Sequence, residues 1–286
     1  MSDRRLTVRK TYKLFIGGAF PRSESGRSYV VTGPKGDFLA NAARASRKDA
    51  RDAVSAARKA FPGWSGSTAY GRGQIMYRIA EMLEGRRQQF VAELRAAGMP
   101  SGTATAELDA TIDLWVWYAG WADKIASVSG SANPVAGPYF NLSTPEPTGV
   151  VAVIAPSSPL LGLVSVIAPV IVTGNTCVVV ASDEAPLPSI TLAEVLATSD
   201  LPGGVVNILT GSRSELAPWL AAHMDVNALD LAGASGELAV ACERAGAENL
   251  KRVLRPSGKT DWLADPGTGR MTAFLETKTV WHPTGV

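Results

Sequence analysis

Few side chains in this 286-residue chain could carry covalent or acid–base chemistry, and they are scattered. There are two cysteines, Cys177 and Cys242, too few for a disulfide framework or a thiolate metal site by themselves. Cys177 lies in an apolar strand pattern and Cys242 in a helical one, which reads as reduced, structural thiols. His223 and His282 are too far apart in sequence to propose a metal site or a proton relay, so surface or capping roles are expected and no metal ligand is assigned. Asp109 and Asp113 are spaced i, i+4, but a lone like-charged pair reads as a solvated helix face rather than an acid–base dyad. What remains is a Gly-containing turn, Leu231-Ala-Gly-Ala-Ser-Gly-Glu-Leu238, a type of strand-to-helix junction that is common without any ligand.

The elements that must position these residues come in two textures. Ser46-Arg-Lys-Asp49 is a capping-box-like start to a helix whose inner face carries Ala50, Val54, Ala57 and Phe61, with Pro62-Gly63 expected to stop it. Two more helices are expected, over residues 70–97 and 104–125. The second of these carries Trp115, Trp117, Tyr118 and Trp121, an aromatic stripe read as core. From Gly149 onward, short Val- and Ile-rich runs alternate with helical patterns, the texture of a parallel sheet covered on both faces. Strands are expected at 150–154, 176–180, 205–210, 228–231 and 250–254, and helices at 160–172, 189–199, 214–223 and 236–245. That alternation is the grammar of an open, doubly wound α/β domain. By composition alone, the polar Gly/Pro/Ser stretch 129–147 would be a linker.

Composition narrows the function classes. Apolar residues make up 46% of the chain, and 28 Lys plus Arg nearly balance 26 Asp plus Glu, which gives no argument for nucleic acid or an anionic membrane surface. The longest apolar run, 159–172, is interrupted by Gly162, Ser165 and Pro169 and falls short of the ~20 residues that span a bilayer. No signal-peptide core is visible at the N-terminus, so a cytoplasmic location is expected.

Several segments, in order and at nearly constant spacing, resemble the aldehyde dehydrogenase superfamily. They are Leu14-Phe-Ile-Gly-Gly-Ala-Phe20, Glu146-Pro-Thr-Gly-Val-Val-Ala-Val-Ile-Ala-Pro156, Gly174-Asn-Thr-Cys-Val-Val-Val180, Leu201-Pro-Gly-Gly-Val-Val-Asn-Ile-Leu-Thr-Gly211 and Asn249-Leu-Lys-Arg-Val253. The resemblance implies a Rossmann-like doubly wound parallel sheet with N-terminal helices and a small projecting β oligomerisation element. It divides the chain into 1–128, the strand and helical part of the coenzyme-type domain; 148–269, the Rossmann-like part; and 129–147 with 270–286, the projecting element.

In that family a cysteine thiolate attacks the aldehyde, hydride passes to a nicotinamide, and a glutamate activates the hydrolytic water. The stretch matching the Glu-Leu-Gly-Gly-Lys motif reads Leu254-Arg-Pro-Ser-Gly-Lys259, with Arg255 in the place of the glutamate and no cysteine after it. A guanidinium cannot act as a general base at physiological pH. The Pro-Trp-Asn-Phe-Pro element that carries the oxyanion-stabilising asparagine is replaced by Pro156-Ser-Ser-Pro159. No catalytic residue is therefore assigned. The ribose-holding Lys-Pro-Ser-Glu run corresponds to Ala181-Ser-Asp-Glu184, and the pyrophosphate turn keeps Gly233 but has Ala234 for the hydroxyl. Glu184, Gly233 and Ser235 are the remnant of a cofactor site, and with the amine and hydroxyl gone no bound NAD is expected.

What is kept points to assembly: Gly137-Pro-Tyr-Phe-Asn-Leu-Ser-Thr-Pro145 and the final Phe274-Leu-Glu-Thr-Lys-Thr-Val-Trp-His-Pro283 resemble the family's projecting sheet. The expectation is a non-catalytic pseudoenzyme, similar to the second half of double-length aldehyde dehydrogenases, that joins a full-length aldehyde dehydrogenase through the strand in 270–286. The alternative is an NAD-dependent oxidoreductase contributing to aldehyde oxidation.

Overall fold

A computed structural model describes residues 9–255 and 260–285. A three-stranded sheet comes first, from β1 (Thr11–Tyr12), β2 (Ser28–Thr32) and β3 (Phe38–Ala43), in the order β1-β3-β2. Helix α1 (Arg47–Ser65) follows, and its start obeys the sequence. The Ser46 hydroxyl accepts from the Lys48 and Asp49 amides, and Asp49 Oδ2 accepts from the Ser46 amide at 2.8 Å. The expected stop at Pro62 does not occur, and α1 runs on to Ser65 with Pro62 inside it. A proline costs the helix one hydrogen bond. Here the last turn is held instead by Trp64, fully buried, whose indole N–H donates to the Ile171 carbonyl at 2.9 Å.

The helix expected over 70–97 is two, α2 (Ala69–Gly85) and α3 (Arg87–Ala96), and the next is α4 (Ser101–Trp121) with a short α5 (Ile125–Ser129). Trp115 and Tyr118 are fully buried, so the aromatic stripe is core packing. The stretch that composition alone would make a linker forms β4 (Ser131–Asn133) and β5 (Tyr139–Pro147).

The α/β part then runs β6 (Val150–Ile154), α6 (Leu161–Val172), β7 (Thr176–Val180), α7 (Leu187–Ala197), β8 (Val206–Leu209), α8 (Arg213–Ala222), β9 (Ala228–Asp230), α9 (Gly236–Ala247) and β10 (Arg252–Leu254). All five strands are parallel, in the order β10-β9-β6-β7-β8. Successive strand residues point to opposite faces, and both faces are apolar. Val151, Val153, Cys177 and Val179 join a core with α4, α6 and α7. Val150, Ala152, Ile154, Val178 and Val180 join another with α1, α8 and α9. Helix α6 is buried all round between sheet and helices, which is why its sequence is so uniformly apolar.

The tail adds α10 (Gly269–Thr272) and β11 (Leu275–Pro283). β11 pairs antiparallel with β5 over nine residues, giving a third sheet in the order β11-β5-β4. Its far end is bare: Tyr139, Phe140, Val280 and Trp281 are all exposed. No described helix is long and apolar enough to cross a membrane.

Candidate functional site

In an open parallel sheet, ligands bind outside the carboxyl ends of the strands, where the strand order reverses. Here the chain runs outward from β6 through β7 to β8, then returns to β9 on the other side of β6. The crevice therefore opens between the ends of β6 and β9. Gly233 forms one wall: its amide donates to the Ile154 carbonyl at 2.7 Å. A Cβ at Gly233 would sit 1.9 Å from the Ala155 oxygen, so only glycine allows this turn to close on the end of β6.

Arg213, the first residue of α8, lies across the crevice with its side chain 14% exposed. Its Nη1 donates to the carbonyls of Ala155 (3.3 Å) and Gly233 (3.1 Å), its Nη2 to Ser182 Oγ (3.4 Å) and its Nε to Asp183 Oδ1 (2.7 Å). One guanidinium thus ties together the ends of β6, β7 and β9. Glu184 stands beside this cluster in the exposed loop after β7, its amide donating to Ser182 Oγ, and among the described residues its carboxylate has no ion-pair partner. Ser235 is the N-cap residue of α9, exposed, with no capping bond from its hydroxyl. Among the described residues no side chain caps the start of α9.

Of the sequence-assigned residues, Glu184 and Gly233 are brought to one crevice through Arg213, and Ser235 closes the turn that begins at Gly233. Arg213 itself escaped the sequence reading. A cation in the first turn of a helix opposes the macrodipole, and that mismatch was the available signal.

The groups tested as nucleophile or base are placed elsewhere. Cys177 and Cys242 have no exposed surface. Burial raises the Cys177 thiol, and burial with the neighbouring Glu243 charge pushes Cys242 up to about 11. Arg255 is exposed and pairs with Glu243, while 256–259 lie outside the described residues. Ser158 donates to Glu107 Oε1 (3.1 Å), which also accepts the Leu161 amide (3.0 Å) at the start of α6. Glu107, Ser158 and Leu161 line a cavity of about 450 Å³ whose other wall is Thr260, Asp261, Trp262 and Leu263 of the tail. His223 accepts the Asp225 amide at the end of α8, a turn-capping role, and Asp109 pairs with Arg87 on the surface.

Beneath the crevice, Asp230 at the end of β9 is fully buried and receives Arg270 Nη1 at 2.6 Å and the Ala232 amide at 3.0 Å. Burial holds its carboxyl above the ordinary aspartate range, against the pull of Arg270. Arg270 also stacks over Trp262. Sequence reasoning missed this pair because its members are 40 residues apart.

A family model described as the aldehyde dehydrogenase family matches residues 20–263. The chain is 34% identical over 260 residues to human retinal dehydrogenase 2, covering 88% of this chain and 49% of that protein. It is 33% identical to the mitochondrial benzaldehyde dehydrogenase of Antirrhinum majus, covering 88% and 48%. Among solved structures, the NAD+ complex of an aldehyde dehydrogenase from Bacillus cereus superimposes with a TM-score of 0.81 at 29% identity, over 85% of this chain and 50% of that one. PnpE in complex with nicotinamide adenine dinucleotide gives 0.79 at 29% identity, over the same shares. The chain spans about half the length of the relatives it matches.

These likenesses overturn the expectation that no cofactor belongs here, because folds of this shape hold NAD. The physical reason for the error is that side-chain losses were weighed alone. The strand-order reversal, the Gly233 turn and the open end of α9 are backbone features that survive those losses.

Proposed function

Because the chain belongs to the aldehyde dehydrogenase family, we infer that it is a dinucleotide-binding unit of that fold which does not oxidise aldehydes by itself and serves by joining a complete aldehyde dehydrogenase. The observation that carries the binding half is the crevice between β6 and β9, walled by Gly233 and flanked by Glu184 and the open N-terminus of α9. These groups fit a nicotinamide adenine dinucleotide. Glu184 is placed to accept from a ribose hydroxyl, and the α9 amides and Ser235 hydroxyl to donate to the pyrophosphate. When bound, the nicotinamide supplies a hydride acceptor.

Among the described residues no side chain supplies a partner for that step. Neither cysteine reaches solvent, and burial holds both thiols protonated at neutral pH. Arg255 is engaged with Glu243, and a guanidinium is no general base. Ser158 is committed to Glu107.

The assembly half rests on β11. It is not a free strand, being paired along its length with β5, but its outer edge is open, and a further strand could add there. A complete relative is the partner of matching chemistry. Calorimetric titration of NAD+ into the purified chain tests the binding half. Saturable binding weakened by Glu184→Ala supports it, and no heat of binding at millimolar NAD+ contradicts it.

A further inference from the structure

The small sheet of β1, β3 and β2 carries a cavity of about 190 Å³ whose lining includes Lys13, Arg22 and Arg27 together with Thr11, Ser28 and Asn41. Side chains alternate between the faces of a strand. Tyr12 and Ala42 turn into the core, so their neighbours Thr11 and Asn41, partners in the β1–β3 register, stand exposed on the outer face. Ser28 begins β2 opposite Ala43, and the loop from β1 to β2 folds over the same face and brings Arg22 and Arg27 with it. None of the six donor side chains has a hydrogen-bond or ion-pair partner among the described residues, and no described carboxylate lines the cavity.

The acids nearest in sequence are engaged elsewhere, and in a way that fixes the loop. Asp49, buried at the start of α1, accepts from Ser23 Oγ (2.7 Å), the Glu24 amide (3.0 Å) and the Ser46 amide (2.8 Å). The Glu24 carboxylate takes Ser46 Oγ at 3.0 Å and Lys48 Nζ at 3.3 Å. The Gly26 amide closes the turn on the Ser23 carbonyl at 2.9 Å, with Gly26 at φ +68°, a conformation that favours glycine. The Arg27 carbonyl then accepts the Arg44 amide at 3.0 Å, which ties the loop to the end of β3. The segment that bears Arg22 and Arg27 is therefore anchored to α1 and to the sheet before any ligand arrives. Cations gathered on one cavity with no acid among them raise the local potential and favour an anion there.

We propose that this cavity binds a phosphate dianion, free or as the monoester of a small molecule, through Lys13, Arg22 and Arg27. A phosphate brings nearly two negative charges and several strong acceptor oxygens, enough to engage guanidinium forks, an ammonium and the neutral donors Thr11, Ser28 and Asn41 at once. A monocarboxylate would leave most of the positive charge uncompensated. The volume is below the ~300 Å³ at which pockets for larger organic ligands begin, so the phosphate group itself is what the cavity holds. None of the residues described around the crevice lines it, and the two sites are independent.

The test is calorimetry at fixed ionic strength with inorganic phosphate, glycerol 3-phosphate and acetate. It is run on the wild-type chain, on Lys13→Gln, Arg22→Gln and Arg27→Gln, and on the variant combining them, each checked for folding by thermal melting. Saturable binding of both phosphates at one site per chain is expected, with acetate about tenfold weaker or more. Each single variant should lose about three- to tenfold in affinity and the combined variant about a hundredfold. Affinity should also fall as salt is raised. Glycerol 3-phosphate binding tighter than inorganic phosphate marks the ligand as an ester, and otherwise it is the free ion; either supports the site. Phosphate binding that the combined variant retains lies elsewhere on the chain and overturns the site. No saturable binding at millimolar phosphate, or acetate binding as tightly as phosphate, overturns it too. A poly-glutamate peptide binding more tightly than either phosphate would make this face a surface for acidic protein, which also overturns it.

Discussion

Arg270 Nη1 lies 2.6 Å from Asp230 Oδ2, binding the helix that precedes the last strand to the buried end of β9. The arginine is the only cation within ion-pair distance of that carboxylate among the described residues. Removing it leaves a buried charge without its partner, so Arg270→Ala should destabilise by about 3–5 kcal/mol. Replacing both groups, as Asp230→Leu with Arg270→Met, should cost less than Arg270→Ala alone. Denaturant unfolding measures each.

The same pair has a pH signature. Burial holds the native Asp230 carboxyl above its unfolded value, so between the two values the native state binds more protons and stability falls as pH rises. Arg270→Ala removes the group that pulls the carboxyl down, so the window should extend further up. The deficit of the variant should be greatest near neutral pH and shrink on acidification; a deficit independent of pH would show that Asp230 does not titrate in that range.

Gly233→Ala should be costly out of proportion to one methyl group. The added Cβ meets the Ala155 oxygen at 1.9 Å, so the turn must shift. Overpacking of this kind costs about 1–3 kcal/mol, and because the turn walls the crevice, dinucleotide affinity should fall with it. Thermal melting and calorimetry on one sample separate the two effects.

Neither cysteine should react in the native state. Both side chains are fully buried, so a thiol reagent should modify neither before unfolding and both of the two after it. Rapid native modification of one would mark an accessible thiol.

Association with a complete aldehyde dehydrogenase should depend on β11. Deleting residues 276–286, which spares the buried Met271 and Phe274, or placing proline at Thr277 or Thr279, should abolish co-purification with such a partner. The five-stranded sheet should remain folded by circular dichroism, since among the described residues β11 pairs only with β5. A complex that survives the deletion would rule out strand addition.

The central sheet was legible because its strands are apolar on both faces: residues 150–154 and 176–180 coincide with β6 and β7. Local reading failed where a distant contact decides. Pro62 was read as a stop because the sequence does not show Trp64 reaching Ile171, 107 residues on. Composition marked 129–147 as a linker because the partner that makes β5 a strand, β11, pairs Thr279 with Ser143 across 136 residues. At the crevice, the resemblance named Gly233 and Glu184 but not Arg213. Its acceptors Gly233, Ser182 and Ala155 lie 20, 31 and 58 residues away.

The most direct measurement mixes the purified chain with saturating NAD+ or NADP+ and an aldehyde and follows the absorbance of reduced nicotinamide, with dinucleotide binding monitored in the same sample by tryptophan fluorescence. Binding without any reduced nicotinamide is the expected result, from an intact crevice and two buried thiols. Reduced nicotinamide formed above the rate without the chain, whether or not it persists in Cys177→Ala/Cys242→Ala, or the absence of dinucleotide binding, would contradict it.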